Sequence, residues 1–395
     1  MTWKAAVSGA VYAQPLIVGD RVFVATEEDD VYALSLGTGK VLWQANIGTP
    51  LTEVAQFAGC GDIDPLGITS TPVIDEKTDR LYVVGEISNG ADPPTVHREL
   101  VGFDVATGSV VQSTDVDPTG GGDTPLDLLQ RAGLAIDGGR VDVGFGGQYG
   151  DCGFYHGWVV GASVTAGVPN IEFDATPGGS GGAIWQGGGP PSVDPLGNLY
   201  VVTGNQNSQG TAGNYESVIK LSSGLVPEAS FRDSAAVDDE DFGTSTPLLL
   251  PNGTLFTVGK TDIGYVLRQS DLSQVAAIPG ICGSNPDGRI AFGGATDAAY
   301  VPCRGGGIQE VDLATASLGW RAGAVNSSPI LGAGSLWALS YPGGTLQALN
   351  PATGAVEQST TVGRAANFAT PAYANGLLVV ANAVGSVVAF GQASR

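Results

Sequence analysis

The stretch AQPLIVGDRVFVATEEDDVYALSLGTGKVLW, residues 13–43, decides the fold. A small residue and a proline lead into an apolar run. A Gly-Asp turn follows, and a second apolar run, RVFVA, comes back. The chain then drops through acidic residues into a third run and closes on Thr-Gly and Trp43. Short apolar runs joined by glycine turns read as antiparallel hairpins.

The same unit recurs. STPVIDEKTDRLYVVGE (70–86) continues into ELVGFDVATGSVV (99–111), and GLAIDGGRVDVGFGG (133–147) into GWVVGAS (157–163). GPPSVDPLGNLYVVTGN (189–205), STPLLLPNGTLFTVGKTDIGYVLRQSD (245–271) and three later copies repeat it. Eight units in a chain of this length average about 49 residues, the size of a four-stranded propeller blade. The expected blades span 13–46, 66–114, 130–174, 180–232, 242–279, 287–322, 325–362 and 366–395. The eighth unit shows three strand runs, and the N-terminal TWKAAVSG has no partner of its own. Residues 2–8 should therefore complete the last blade and close the ring, which removes open edges. The expected fold is all-β: one domain over 1–395, an eight-bladed β-propeller of four-stranded antiparallel blades. LDLLQRAG (126–133) is the one short helical candidate.

Composition agrees. The 61 Gly and 23 Pro point to turns and short strands. A net charge of -22 with 17 Lys+Arg repels nucleic acid and anionic membranes. No apolar run is long enough to span a bilayer. The N-terminus reads as a strand, not as a signal peptide. Four cysteines without CxxC or zinc spacing fit two disulfides in an exported, secreted or cell-surface protein. Spacing leaves the connectivity open. Cys282–Cys303 would close a hairpin, and Cys60–Cys152 is the remaining pair. A monomer is expected. His97 and His156 are far apart in the repeat scheme, and no GxSxG, Walker or HExxH pattern occurs.

Four third-strand endings share a signature: ALSLGTGKVLW (33–43), GFDVATGSVV (102–111), EVDLATASLGW (310–320) and ALNPATGAVEQ (348–358). They resemble the Ala-x-Asp-x-x-Thr-Gly-x-x-x-Trp repeat of the pyrroloquinoline quinone (PQQ) dehydrogenase-type propellers. Trp43 and Trp320 keep the terminal Trp, which should lie flat between blades.

The resemblance extends to a candidate site. GGAIW…DPLGNLYVVTGN (181–205) is similar to a segment of the quinoprotein alcohol dehydrogenases. It implies that Trp185 stacks under the quinone, with glycines giving the ligand access, and that Asn205 is a metal ligand. DDEDFGTSTPLLL (238–250) resembles the segment carrying the catalytic base, which also binds metal; this implies Asp241, with Phe242 in place of Tyr. VGKTDIGYVLRQSD (258–271) implies Lys260 as the cation on the quinone oxygens. GGQYGDCG (146–153) puts Gln148 where the family has a metal-binding Glu, which removes a charge a calcium site depends on. The adjacent cysteine pair that covers the quinone is absent, and so is a CxxCH haem motif. Lys260 can alternatively pair with Asp241 or Asp262 as a channel salt bridge.

Two functions follow. One is a binding or scaffolding propeller with a degenerate quinone-type site, taking a small molecule or a protein partner at the channel mouth. The other is an alcohol or sugar dehydrogenase dependent on PQQ and on calcium or a lanthanide. Gln148, the missing cysteine pair and the lost blade tryptophans tip the balance to the binder.

Overall fold

Leu16–Val18, Arg21–Ala25, Asp30–Ser35 and Val41–Asn46 form an antiparallel sheet in that spatial order. The computed structural model describes residues 1–207, 213–283 and 285–391; positions 208–212 and 392–395 of the expected fourth and eighth blades lie outside the described residues. Among the described residues seven more sheets of the same kind follow in chain order, giving an eight-bladed β-propeller. The third is extended by Leu128–Leu129, which pairs with Gly146 and Gly147.

Stacking explains the apolar runs. The middle strands of each blade face a neighbour on both sides, so Val22–Ala25 and Val31–Leu34 are all buried, while the outer strand Val41–Asn46 is largely exposed. One apolar cluster fills each junction between blades among the described residues. Val24 and Leu34 meet Val379 and Val387 between the eighth and first blades; Phe256 and Val258 meet Ala299 and Val301 between the fifth and sixth.

The ring closes as the repeat count requires. Trp3–Ala6 pairs antiparallel with the C-terminal strand, Trp3 opposite Ala389 and Ala6 opposite Ser386. A side-chain latch recurs with it. Trp43 donates Nε1–H to the Val105 carbonyl at 3.1 Å and covers the Thr-Gly turn of the second blade. Trp320 does the same to Pro351 at 3.0 Å on the seventh blade. Trp3, outside the repeat signature, makes a third such contact, with the Leu36 carbonyl at 2.6 Å on the first blade. The turn glycines are needed twice over. Gly39, Gly108 and Gly354 have φ near +70°, where a side chain is strained. A Cβ on Gly39 would also come 2.5 Å from Trp3, and one on Gly108 2.6 Å from Trp43.

The helical candidate at 126–133 is not a helix. Pro125–Asp127 makes a single 3-10 turn, and Leu128–Leu129 then enters the third sheet. A short α-helix, Val54–Phe57, sits instead in the long connection between the first and second blades. No helix among the described residues is long and apolar enough to cross a membrane. The disulfides are Cys60–Cys152 and Cys282–Cys303, the pairing expected from the sequence.

The latch at the ring closure is open to test. Trp3→Ala should cost about 3 kcal/mol, as large-to-small core substitutions do. Gly39→Ala should cost a similar amount, and the double variant little more than either single change, because both remove one contact. Gly19→Ala, also at positive φ but with open space around it, should cost about 1 kcal/mol. Denaturant midpoints of the four variants check this; additive losses would contradict it.

Candidate functional site

The segments that lead into each blade turn inward and meet across the ring. Arg131, entering the third blade, donates Nη2–H to the Asn367 carbonyl ahead of the eighth, at 2.9 Å. Its guanidinium lies over the rings of Phe368 and Tyr12, 5.0 and 5.8 Å from their centroids. Above this brace lies a cavity of about 430 Å³ whose walls include Trp185, Asp241, Lys260, Arg131, Asp287 and Phe368.

Trp185 is half-buried and donates Nε1–H to the Gly147 carbonyl at 2.9 Å. The glycines at its edges are not its sequence neighbours. A Cβ on Gly146 would come 2.7 Å from Nε1, and one on Gly204 3.3 Å from the six-membered ring. Gly187, Gly188 and Gly189 instead pack against Gly288 and Thr244, Arg131, and Thr246 respectively. The glycine run thus makes room for the axial crossing, while two glycines of adjacent blades fit the indole into place.

Asp241 is buried, at 3% exposure. Its Oδ1 accepts the Asn205 backbone N–H at 2.9 Å, and its Oδ2 lies 2.6 Å from Lys260 Nζ. Lys260 also reaches Asp239 at 2.7 Å. Asp262, the other candidate partner, caps the Cys282 and Gly283 amides. Burial pushes the Asp241 carboxyl up to about 6, against the pull of Lys260. Burial works to lower Lys260, but Asp241 and Asp239 outweigh it and hold the ammonium above its ordinary value. The Lys260 ammonium therefore keeps its positive charge against Asp241 near neutral pH.

Trp185, Asp241 and Lys260 line one cavity, and Asn205 touches it through Asp241. Gln148 is buried, and its Nε2–H donates to the Leu128 carbonyl at 3.3 Å. The calcium or lanthanide ligands implied by the resemblance do not fit well: both Asp241 oxygens are engaged. Among the described residues no three acidic, His or Cys side chains are grouped to hold a metal. The Asn205 Oδ1 is buried without a hydrogen-bond partner. His156 is buried, with Nδ1 2.6 Å from Asp123, a packed residue away from the cavity wall.

Sequence reading missed Arg131, Asp287 and Arg304. Arg131 lay inside the stretch with helix-like spacing, and its partners come from distant blades. Burial pushes Asp287 up to about 6, opposed by Arg304 at 3.6 Å. The Cys60–Cys152 disulfide ties together two loops of the rim: Asp62 and Ile63 beside Cys60, and Tyr149 to Asp151 beside Cys152, all line the cavity.

Residues 1–153 match the family described as outer membrane protein assembly factor BamB. No curated protein matches the chain in sequence. Among solved structures, the quinohemoprotein alcohol dehydrogenase from Comamonas testosteroni is similar over 100% of this chain and 77% of its own, with a TM-score of 0.75 at 15% identity. BamB from Moraxella catarrhalis is similar over 98% of both chains, with a TM-score of 0.67 at 14% identity. A europium-containing methanol dehydrogenase is similar over 97% of this chain and 85% of its own, with a TM-score of 0.73 at 16% identity. The chain is an eight-bladed β-propeller, a fold that these BamB and dehydrogenase structures share.

A group of buried carboxylates behind Arg131 sets a pH dependence. Burial pushes Glu27 up to about 7, Asp29 to about 8 and Glu86 to about 7. Both Asp29 oxygens lack hydrogen-bond partners. The folded state thus binds more protons than the unfolded chain, so these groups favour folding most below about pH 4 and lose that contribution as pH rises to about 8. Turn carboxylates such as Asp104, held low by Thr107, oppose this at more acid pH. The thermal midpoint should peak in mild acid and fall toward pH 8, and Asp29→Asn should flatten the alkaline limb. A midpoint rising from pH 5 to pH 8 would contradict the assignment.

Proposed function

We propose that the chain is an exported ligand-binding propeller whose axial cavity takes a planar, quinone-type small molecule on the face of Trp185, without a metal. The observation that carries this is the Lys260 ammonium, bonded at once to Asp241 and Asp239. It neutralises the carboxylate that a divalent ion would otherwise bind. The indole supplies a flat apolar face, and the cavity volume suits one aromatic ligand of modest size. Two disulfides and the acidic surface support an extracytoplasmic location.

A second reading, a PQQ-dependent oxidoreductase, is favoured by Asp241 itself. A buried carboxylate raised to about 6 beside an indole is suited to take a proton from a substrate hydroxyl. PQQ, when bound, supplies the acceptor for the substrate's hydride. Lys260 would have to leave Asp241 for that role.

Titration with PQQ, followed by tryptophan fluorescence and thermal shift, separates the two. The binding reading expects saturable quenching without calcium, no gain from added calcium or lanthanide, and loss of the signal in Trp185→Ala. Lys260→Met should weaken binding by about tenfold, the worth of one charge-assisted contact. Binding that requires metal, with dye reduction by an alcohol that Asp241→Asn abolishes, would establish the dehydrogenase. No quenching at millimolar PQQ would exclude both.

A further inference from the structure

The axial cavity carries more acid on its walls than its cations can answer. Each cation there is already committed. Lys260 holds Asp241 at 2.6 Å and Asp239 at 2.7 Å. Arg304 Nε lies 3.6 Å from Asp287. Arg131 bonds the Asn367 carbonyl, lies over Phe368 and feels the buried Glu27 behind it.

Two carboxylates of the same cavity, Asp62 and Asp151, are left over. Neither forms an ion pair among the described residues. Asp151 Oδ1 accepts the Tyr155 hydroxyl at 2.5 Å, a neutral donor that leaves the charge unanswered. Burial pushes both carboxyls above their ordinary value, against the pull of Arg131 on Asp62 and of Lys260 on Asp151. They also stand close in the fold. Asp62 follows Cys60 by two residues and Asp151 directly precedes Cys152, so the disulfide draws their loops together at the rim. The Gly61 N–H, bonded to the Tyr149 carbonyl at 3.1 Å, joins the same two loops. Asp62 is exposed and Asp151 half-buried, which leaves both open to a ligand. Tyr149, beside Asp151, is 59% exposed and adds an aromatic face that attracts cations.

We propose that the planar ligand of this cavity carries a protonated amine, which Asp62 and Asp151 receive at the rim while the ring lies on Trp185. This rests on the planar-ligand reading of the cavity and adds the charge of its occupant. An ammonium has N–H donors for the two carboxylates, whereas a neutral ring leaves them unpaired and an anion is repelled. Among the described residues no third acidic, His or Cys side chain joins the pair to make a metal-binding group. An ammonium needs no such cage. The net charge of -22 favours the approach of a cation to the cleft.

The test is a calorimetric titration of the whole protein with three flat probes of one size: 2-naphthylmethylamine, 2-naphthylmethanol and 2-naphthoate. All three should bind more weakly in Trp185→Ala. In the native chain the amine should bind about tenfold more tightly than the alcohol at low salt, the worth of two partly exposed ion pairs, and the naphthoate more weakly than either. That advantage should shrink at 0.5 M salt, where the Debye length is about 4 Å. Asp62→Asn and Asp151→Asn should each reduce the amine-to-alcohol ratio, and the double variant should bring it near one. Asp20→Asn, on an exposed hairpin turn outside the cavity, should leave the ratio alone and controls for net charge. Trp185-dependent binding in which the alcohol equals the amine, or the naphthoate exceeds it, would overturn this proposal and leave the planar-ligand reading standing. An amine advantage that survives in the double variant would overturn it too. Binding of none of the three at millimolar concentration would overturn both.

Discussion

Apolar faces stacked blade against blade hold the ring, and at three of the eight junctions an indole seated on the glycine turn of the next blade locks the stack. A blade is an antiparallel sheet with two apolar faces, and neither can be left wet. At one of these junctions the Trp43 ring lies 6.1 Å from Phe103 at 25°, with Gly108 against it. Trp3 places the same contact where the first and last blades meet. There it works with the paired strands Trp3–Ala6 and Ser386–Ala389 to turn an open stack into a closed ring. Closure removes both sheet edges and brings the chain ends into one blade.

Closing eight blades forces their leading segments toward the axis, and what these segments carry decides the chemistry. Two arginines cross the centre, Arg131 to Asn367 and Arg289 to Gln14. Glycines 187–189 lie between them because any side chain there would strike Arg131, Thr246 or the facing backbone. The axis is thus divided into two recesses of different character. One has an indole face, a braced Lys–Asp pair and several acids. The other is proline-walled with a single cation. A fold shared with both scaffold and dehydrogenase structures cannot choose between functions; the side chains at the axis can.

Much of the architecture was legible in the sequence because its determinants are local. Strand runs, Thr-Gly turns and the count of eight units lie within a few dozen residues of one another, and the unpaired TWKAAVSG announced the closure. Trp3 was harder to recognise as a latch, since it lies outside the repeat signature that marks Trp43 and Trp320. Trp185, Asp241 and Lys260 could be placed through resemblance to quinoprotein segments, and they line one cavity. The glycines flanking the indole, Gly146 and Gly204, come from two blades and gave no local signal. Arg131 and Arg289 were invisible for the same reason: each looks like an isolated surface cation until the ring brings the opposite blade to it. The helix-like spacing of LDLLQRAG misled because Pro125 starts a 3-10 turn and the pairing of Leu128 and Leu129 with Gly146 and Gly147 overrides local preference.

The central claim is that Lys260, not a metal, neutralises Asp241 in the axial cavity. The most direct test is a terbium titration read by luminescence sensitised through Trp185, comparing the native chain with Lys260→Met. The account predicts weak, non-stoichiometric binding to surface acids in the native chain, unchanged by Asp241→Ala. It predicts a tighter site when Lys260→Met frees the carboxylate. A stoichiometric, tight terbium site in the native chain that Asp241→Ala or Asn205→Ala abolishes would contradict it.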